Sequence, residues 1–244
     1  MAQYGLKGKI ALVTGASSGI GEAAAQALAQ EGVRVIMAAR SKEKLESLQE
    51  ELGDGARAIP TDVGDWSQVR KLFQIVKADF GGLDLLFNNA GVGYHNRFAE
   101  STPEEWHATI KANLYGVLYC TKEAIPLMRG RPGAMICSVS SVGGRHGLEG
   151  WSVYNATKFA VVGFHDALRK ELGPENIRVS IIEPGAVYTN WGYNVSKEEM
   201  KAHRDKWRAL EAKDIADALV FAFSRPSHFN ILEMLLMPTL QTYP

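Results

Sequence analysis

Seven short apolar runs alternate along this chain with stretches of helical period, and that alternation restricts the fold more than any other feature. The runs occupy residues 9–13, 33–38, 56–60, 83–87, 134–139, 177–182 and 231–237. Each is too short for an ordinary helix, and six of the seven lack polar alternation, the pattern of strands covered on both faces. Between them, residues 20–30, 42–51, 66–78, 103–128, 152–172 and 214–224 repeat their apolar positions at helical spacing. Strand and helix in alternation call for a parallel sheet sandwiched by helices and joined by right-handed crossovers. The expected fold is α/β: a doubly wound, seven-stranded parallel sheet flanked by helices on both faces.

A chain of 244 residues suits one large domain or two small ones. No Pro/Gly/Ser-rich stretch, charge block or internal repeat marks a linker, so one domain over residues 1–244 is expected. Lysine plus arginine and aspartate plus glutamate balance at 27 each, which leaves no basic field suited to nucleic acid. Nothing approaches ~18 consecutive apolar residues, so no membrane span is expected. The N-terminal stretch lacks the apolar core of a signal peptide, and the expected location is the cytoplasm. Cys120 and Cys137 fall in apolar surroundings and read as two buried free thiols. No metal ligation is expected.

Sheets of this kind bind ligands outside the carboxyl ends of their strands, where the strand order reverses. Gly15, Gly19 and Gly21 follow the first strand and open the first helix, with Ser17, Ser18 and Ile20 between them. Glycine permits positive φ in a tight turn and lets the backbone approach an anion without a Cβ in the way. The helix N-terminus adds unpaired N–H groups and partial positive charge for a pyrophosphate. The spacing is G-x-x-x-G-x-G rather than the general G-x-G-x-x-G. Its place between strand and helix favours dinucleotide binding over a merely structural turn. After the second strand, where an NAD site carries Asp or Glu for the ribose 2′-hydroxyl, this chain has Ala39-Arg40-Ser41. A carboxylate would repel a 2′-phosphate, whereas the Arg40 guanidinium can pair with it. The expected cofactor is NADP(H), with a solvated loop cation as the plain alternative for Arg40. Asp62 follows the third strand and can accept from an adenine amino group, with the Val63 backbone alongside.

Tyr154 and Lys158 stand four residues apart inside the helical stretch 152–172, so they share a helix face. A second Y-x-x-x-K match, Tyr193 and Lys197, is set aside. There Ser196-Lys197-Glu198-Glu199 reads as a capping box, which puts Tyr193 ahead of its helix. A free tyrosine has a pKa near ~10 and is a poor base at neutral pH, but a neighbouring ammonium stabilises the phenolate. In reduction Tyr154 would give its proton to a carbonyl oxygen as hydride reaches carbon. Ser141 closes the fifth strand and could hydrogen-bond the same oxygen as charge develops. Alone, Ser141 could equally be a turn cap and Tyr154 a core residue. Their joint placement beyond strand ends is what carries the reading.

With those residues in view, the chain resembles the short-chain dehydrogenase/reductase family over nearly its whole length, in the ordinary NADP-using branch of about 250 residues. The family's glycine motif matches Thr14 to Gly21, and its Ser, Tyr and Lys match Ser141, Tyr154 and Lys158. The resemblance implies a Rossmann fold. It also implies that Asn88, Asn89, Ala90 and Gly91 brace the sheet and pass beneath the cofactor. It assigns catalysis to Asn113 on the long helix, whose carbonyl and a water beside Lys158 would connect the site to solvent. Pro184 and Gly185 match the turn after the sixth strand. Val187 and Thr189 beyond it meet the nicotinamide carboxamide in relatives. Lys158 would hold the nicotinamide ribose and lower the tyrosine pKa. Thr157 stands where relatives often have serine, a change expected to be neutral.

Substrate specificity in such a fold should come from loops after strands four, five and six. Candidate walls are Tyr94, Gly143, Leu148, Trp151, Tyr188 and Trp191, with residues 186–212 as a lid that includes a helix over 196–210. Arg97, Arg145 and His146 could meet a substrate carboxylate or could face solvent or another subunit. Surplus apolar residues on 152–172 (Phe159, Val162, Phe164 and Leu168) and on the final strand favour a homo-oligomer, expected to be a tetramer as is common in relatives. The leading expectation is an NADP(H)-dependent oxidoreductase interconverting a small ketone or aldehyde with an alcohol. A narrower version is a dehydrogenase of a 3-hydroxy acid or hydroxy amino acid. A different class is a non-catalytic NADP-binding sensor or scaffold.

Overall fold

The first strand of the computed structural model, which describes residues 5–189 and 191–242, is β1 (Ile10–Thr14), buried along its length, and it runs into α1 (Gly19–Gln30). Then come β2 (Arg34–Ala39), α2 (Lys42–Leu52), β3 (Ala56–Pro60), α3 (Trp66–Phe80) and β4 (Leu85–Asn88). Next, α4 (Pro103–Ile110) and α5 (Gly116–Met128) flank a π-helical turn (Lys111–Tyr115). β5 (Met135–Val139), α6 (Ser152–Leu172) and β6 (Arg178–Pro184) follow. The last elements are β7 (Val187–Tyr188), α7 (Lys197–Trp207), β8 (Leu210–Glu211), α8 (Ala212–Phe223) and β9 (Glu233–Leu236). The first four residues, which the signal-peptide reading included, lie outside the described residues.

Seven strands form one parallel sheet in the order β3-β2-β1-β4-β5-β6-β9, as expected. Because successive side chains in a strand point to opposite faces, β1 divides its residues between two cores. Ala11 and Val13 join Leu28 of α1, Leu45 of α2 and Leu219 of α8 on one face. Ile10 and Leu12 join Leu72 of α3, Cys120 and Met128 of α5 and Leu168 of α6 on the other. The order reverses between β1 and β4, which opens a crevice beyond their carboxyl ends. At the opposite end of the sheet, buried Asp84 accepts from Ile10 N at 2.9 Å and from Arg131 at 2.7 and 3.1 Å, with Lys9 at 3.3 Å. Burial pushes the Asp84 carboxyl up, but the Arg131 and Ile10 hydrogen bonds and the Lys9 charge outweigh it and hold the pKa low.

Three expectations are corrected. The stretch 103–128 is helical throughout but not uniformly α: Gly116 N–H reaches back five residues to the Lys111 carbonyl, so the turn at Asn113 is wider than its flanks. The edge strands are not covered on both faces. Leu235 of β9 is 51% exposed, and Arg57 and Pro60 of β3 are exposed. Of the four apolar residues counted as surplus on α6 only Phe159 is strongly exposed, because Leu168 is buried, Phe164 packs against the second core and Val162 is half-buried. The capping box at Ser196 and Glu199 forms as read, and Tyr193 lies ahead of that helix. Cys120 and Cys137 are buried free thiols, each pushed up to about 12 by burial. Among the described residues no helix is long and apolar enough to cross a membrane, and no cluster of three or more His, Cys, Asp or Glu could hold a metal ion.

Candidate active site

The crevice beyond β1 and β4 widens into a cleft of about 710 Å³ that runs along the carboxyl ends of the strands. Gly15, Ser17, Ser18, Gly19 and Ile20 line one part of it. The turn has no room for side chains: a Cβ on Gly15 would lie 2.8 Å from Ala90 Cα, and one on Gly21 would lie 2.3 Å from Gly15 O. Gly21 is thus buried beneath the turn rather than in the cleft. Asn89 holds the turn from below, its amide donating to the carbonyls of Thr14 at 3.0 Å and Gly15 at 3.3 Å. Thr14 Oγ1 accepts from the backbone N–H of Asn89 and Ala90. Ser18 sits at the N-cap of α1 without capping it, so the first-turn N–H groups keep no side-chain partner and face the cleft. That is the arrangement a pyrophosphate would fit.

Arg40, Asp62 and Val63 line the cleft beyond the second and third strands, and Asn89, Ala90 and Gly91 line it beyond the fourth. Pro184, Gly185, Val187 and Thr189 line it from the sixth strand onward. A Cβ on Gly185 would collide with Gln241 Oε1 at 2.5 Å, and that oxygen accepts from Ala186 N at 2.8 Å. Gln241 therefore closes this end of the cleft. No local pattern in its neighbourhood signals that role.

Ser141, Tyr154 and Lys158 meet in the middle of the cleft, and all three are buried. Ser141 follows β5, and its hydroxyl accepts from Gly143 N at 3.0 Å and stands near enough to the Tyr154 phenol to lower its pKa. Gly143 lies against both without lining the cleft: a Cβ there would stand 3.4 Å from Ser141 Oγ and from the Tyr154 ring. Lys158 Nζ donates to the Val139 carbonyl at 2.7 Å and lies 5.5 Å from the Tyr154 ring centroid. Burial pushes the Tyr154 phenol up to about 12, only partly offset by the Ser141 hydroxyl, and takes Lys158 down to about 8. The expected lowering of the phenol by the ammonium is not met in this arrangement. Desolvation dominates, and the phenol is a protonated acid at neutral pH.

Asn113 lies behind the cleft, buried in the π-helical turn. Its side chain accepts from Val92 N and donates to Val92 O, both at 2.8 Å, and donates to Thr157 Oγ1 at 3.1 Å. Thr157 in turn donates to the Tyr154 carbonyl at 2.7 Å. A serine would supply the same hydroxyl.

Of the candidate substrate walls, Leu148, Trp151 and Trp191 line the cleft. Tyr94 and Tyr188 do not. Tyr94 stacks on Tyr193, ring centroids 4.8 Å apart, where the two residues bridge the loops after β4 and β6. Tyr188 turns outward and donates to Asp205 at 3.0 Å. His95, Glu149, Met200, Arg204 and Trp207 line the cleft and were not singled out. Arg145 is not free for a substrate. Its guanidinium makes three hydrogen bonds of 2.8–3.0 Å to Glu183, which is 1% exposed, and also bonds Glu233. Arg97 and His146 are exposed and lie off the cleft.

The short chain dehydrogenase family model matches residues 9–200. The chain is 36% identical over 236 residues to an uncharacterized oxidoreductase of Staphylococcus aureus (strain MW2), covering 96% of this chain and 98% of that one. It superposes on a serine dehydrogenase solved in closed form with NADP+ at a TM-score of 0.92, with 31% identity and 96% of each chain covered. A 3-ketoacyl-(acyl-carrier-protein) reductase from Brucella melitensis, solved with NADH, matches at a TM-score of 0.87 and 31% identity, over 96% of this chain and 99% of that one.

Proposed function

The chain belongs to the short-chain dehydrogenase family and is an oxidoreductase of that kind; on that footing we propose that it is a single-domain NADPH-dependent reductase of small ketones or aldehydes, able to run in reverse on the alcohols. The observation that carries the reading is the meeting of Ser141, Tyr154 and Lys158 in one cleft with the uncapped N-terminus of α1.

A bound nicotinamide would supply the hydride. Gly15, Ser17, Ser18, Gly19 and Ile20 present backbone to its pyrophosphate, and Arg40 pairs with a 2′-phosphate. Asp62 and Val63 take the adenine, and Gly185, Val187 and Thr189 take the carboxamide end. Tyr154 and Ser141 then hold the substrate oxygen between two hydroxyls. Because the phenol is protonated at neutral pH, Tyr154 is ready to donate to that oxygen as negative charge builds on it. Lys158 keeps an ammonium beside the phenolate left behind. Asn113 fixes the loop at Val92 and, through Thr157, the helix turn that carries Tyr154.

Residues 186–212 act as the lid. The exposed apolar residues Phe159, Leu235 and Leu240 support assembly into a homotetramer, and the expected location remains the cytoplasm. A hydroxy-acid or hydroxy amino acid substrate is the weaker version of the reading, because Arg145 is engaged by carboxylates and Arg97 and His146 lie off the cleft. The test is a panel of carbonyls and alcohols followed by absorbance of the reduced nicotinamide. Turnover of neutral carbonyls with NADPH supports the reading, and a panel without turnover rejects it.

A further inference from the structure

Three of the chain's five tryptophans, Trp151, Trp191 and Trp207, line the cleft, and the first two stand beside Tyr154. Trp151 and Trp191 stand nearly parallel, centroids 5.2 Å apart and planes 18° from each other. Trp191 lies 4.8 Å from the Tyr154 ring and Trp151 lies 5.8 Å from it. A group one or two carbons from a carbonyl held at Tyr154 therefore meets indole. The wall is fixed in place. A Cβ on Gly93 would lie 2.7 Å from the Trp191 ring and 3.0 Å from Trp151, so the absence of a side chain there seats both.

Charged groups of both signs line the cleft near this wall: Glu149 is acidic, and Arg204 and Lys158 are basic. Glu149 lies on the loop after β5. Arg145 is held by Glu183 and Glu233, and the Arg204 guanidinium donates to the Trp191 carbonyl at 3.2 Å and also borders the glycine turn. His95 packs its ring against Trp151 at 5.2 Å.

We propose that the substrate carries a quaternary ammonium group close to its carbonyl or carbinol carbon, and that the indole wall with Glu149 receives it. The proposal rests on the reading of the cleft as a carbonyl reductase site. Indole faces attract a cation through the ring quadrupole, and tryptophan does so best among the aromatic residues. A primary ammonium would bring N–H groups that need acceptors, and indole offers a donor but no acceptor. A fully alkylated nitrogen has no such need. A carboxylate would meet Glu149 with like charge. A neutral alkyl group would gain nothing from aromatic walls or from a carboxylate that aliphatic walls would not also give.

The test compares kcat/KM with NADPH for trimethylammonio-acetaldehyde and for its neutral isostere, tert-butylacetaldehyde. The pair is measured on the intact enzyme and on the Trp151→Leu and Glu149→Gln variants. Comparing the ratio between enzymes removes the difference in intrinsic reactivity of the two aldehydes. The wild-type ratio is expected to favour the cation, and Trp151→Leu to lower that ratio by about threefold or more, the size of one partly desolvated cation–π contact. Glu149→Gln, on an exposed loop, should lower it in the same direction. A wild-type ratio of one or below overturns the proposal, as does a ratio that Trp151→Leu leaves unchanged. Should Trp151→Leu not fold, the Glu149→Gln ratio decides alone. Reduction of the neutral aldehyde without preference for the cation sinks this inference and leaves the carbonyl reductase reading intact. No turnover of any carbonyl removes both.

Discussion

Lys158 stands 5.5 Å from the centre of the Tyr154 ring with its ammonium bonded to the Val139 carbonyl, so it approaches the face of the phenol rather than its hydroxyl. Burial of both groups makes the tyrosine a weaker acid and the lysine a weaker base than in water. Below both values, at neutral pH, the pair holds both of its protons. Reduction consumes a proton, and this is the state that can give one.

The pH dependence of reduction follows. With Tyr154 at about 12 and Lys158 at about 8, the phenol stays protonated through the physiological range and the ammonium is the first of the two to be lost. Reductive kcat/KM is expected to be level below pH 8 as far as this pair is concerned, and to fall as pH rises through about 8. A pH–rate profile with saturating cofactor checks it. Undiminished activity at pH 10 would show that the lysine charge is not needed.

Arg40 should decide between cofactors. A charge-assisted pair is worth about 1.5–3 kcal/mol, so Arg40→Ala should cost roughly ten- to a hundredfold in kcat/KM with NADPH and leave NADH nearly unaffected. Equal losses with both would mean that Arg40 does not meet the 2′-phosphate.

Arg145 is expected to matter for stability rather than for recognition of acidic substrates. Arg145→Met leaves the Glu183 carboxylate buried without its partner, which costs a few kcal/mol, here toward the low end of about 3–5 because the arginine is partly exposed. Urea denaturation should report the loss, and adding Glu183→Gln should restore part of it. A selective rise in KM for acidic substrates with unchanged stability would contradict this.

Buried His165 should make the fold acid-sensitive. Burial takes its pKa from 6.5 down to about 4, and its Nδ1 bonds the Val161 carbonyl. Between those values the unfolded chain binds a proton that the folded chain does not. Stability is therefore complete above pH 6.5 and is lost progressively as pH falls toward 4, by about 3 kcal/mol in all. In His165→Gln the slope of stability against pH over this window should be flatter. An unchanged slope would place the acid sensitivity elsewhere.

How much of this was legible in the sequence depended on whether the signal was local. The sheet, its helices and the places of Gly15, Tyr154 and Lys158 follow from periodicity and from position after a strand, and each needs only a few neighbouring residues. Tyr94 and Tyr188 were placed wrongly because their directions depend on Tyr193 and Asp205, partners from distant segments. Trp207, Arg204 and Gln241 reach the cleft only through the course of the lid and of the C-terminal segment, which no periodic pattern encodes. The wider turn at Asn113 was invisible for another reason: it changes the backbone pairing over a single turn, too short a stretch for apolar spacing to register.

Tyr154→Phe tests the central claim most directly. The variant keeps the ring that packs on Trp151 and Trp191 and removes only the proton that the carbonyl oxygen would receive. NADPH binding followed by fluorescence titration should stay within about threefold of wild type. NADPH oxidation in the presence of a carbonyl that the wild type reduces should fall by about a hundredfold or more. Reduction at the wild-type rate in that variant, with the cofactor still bound, would contradict the account.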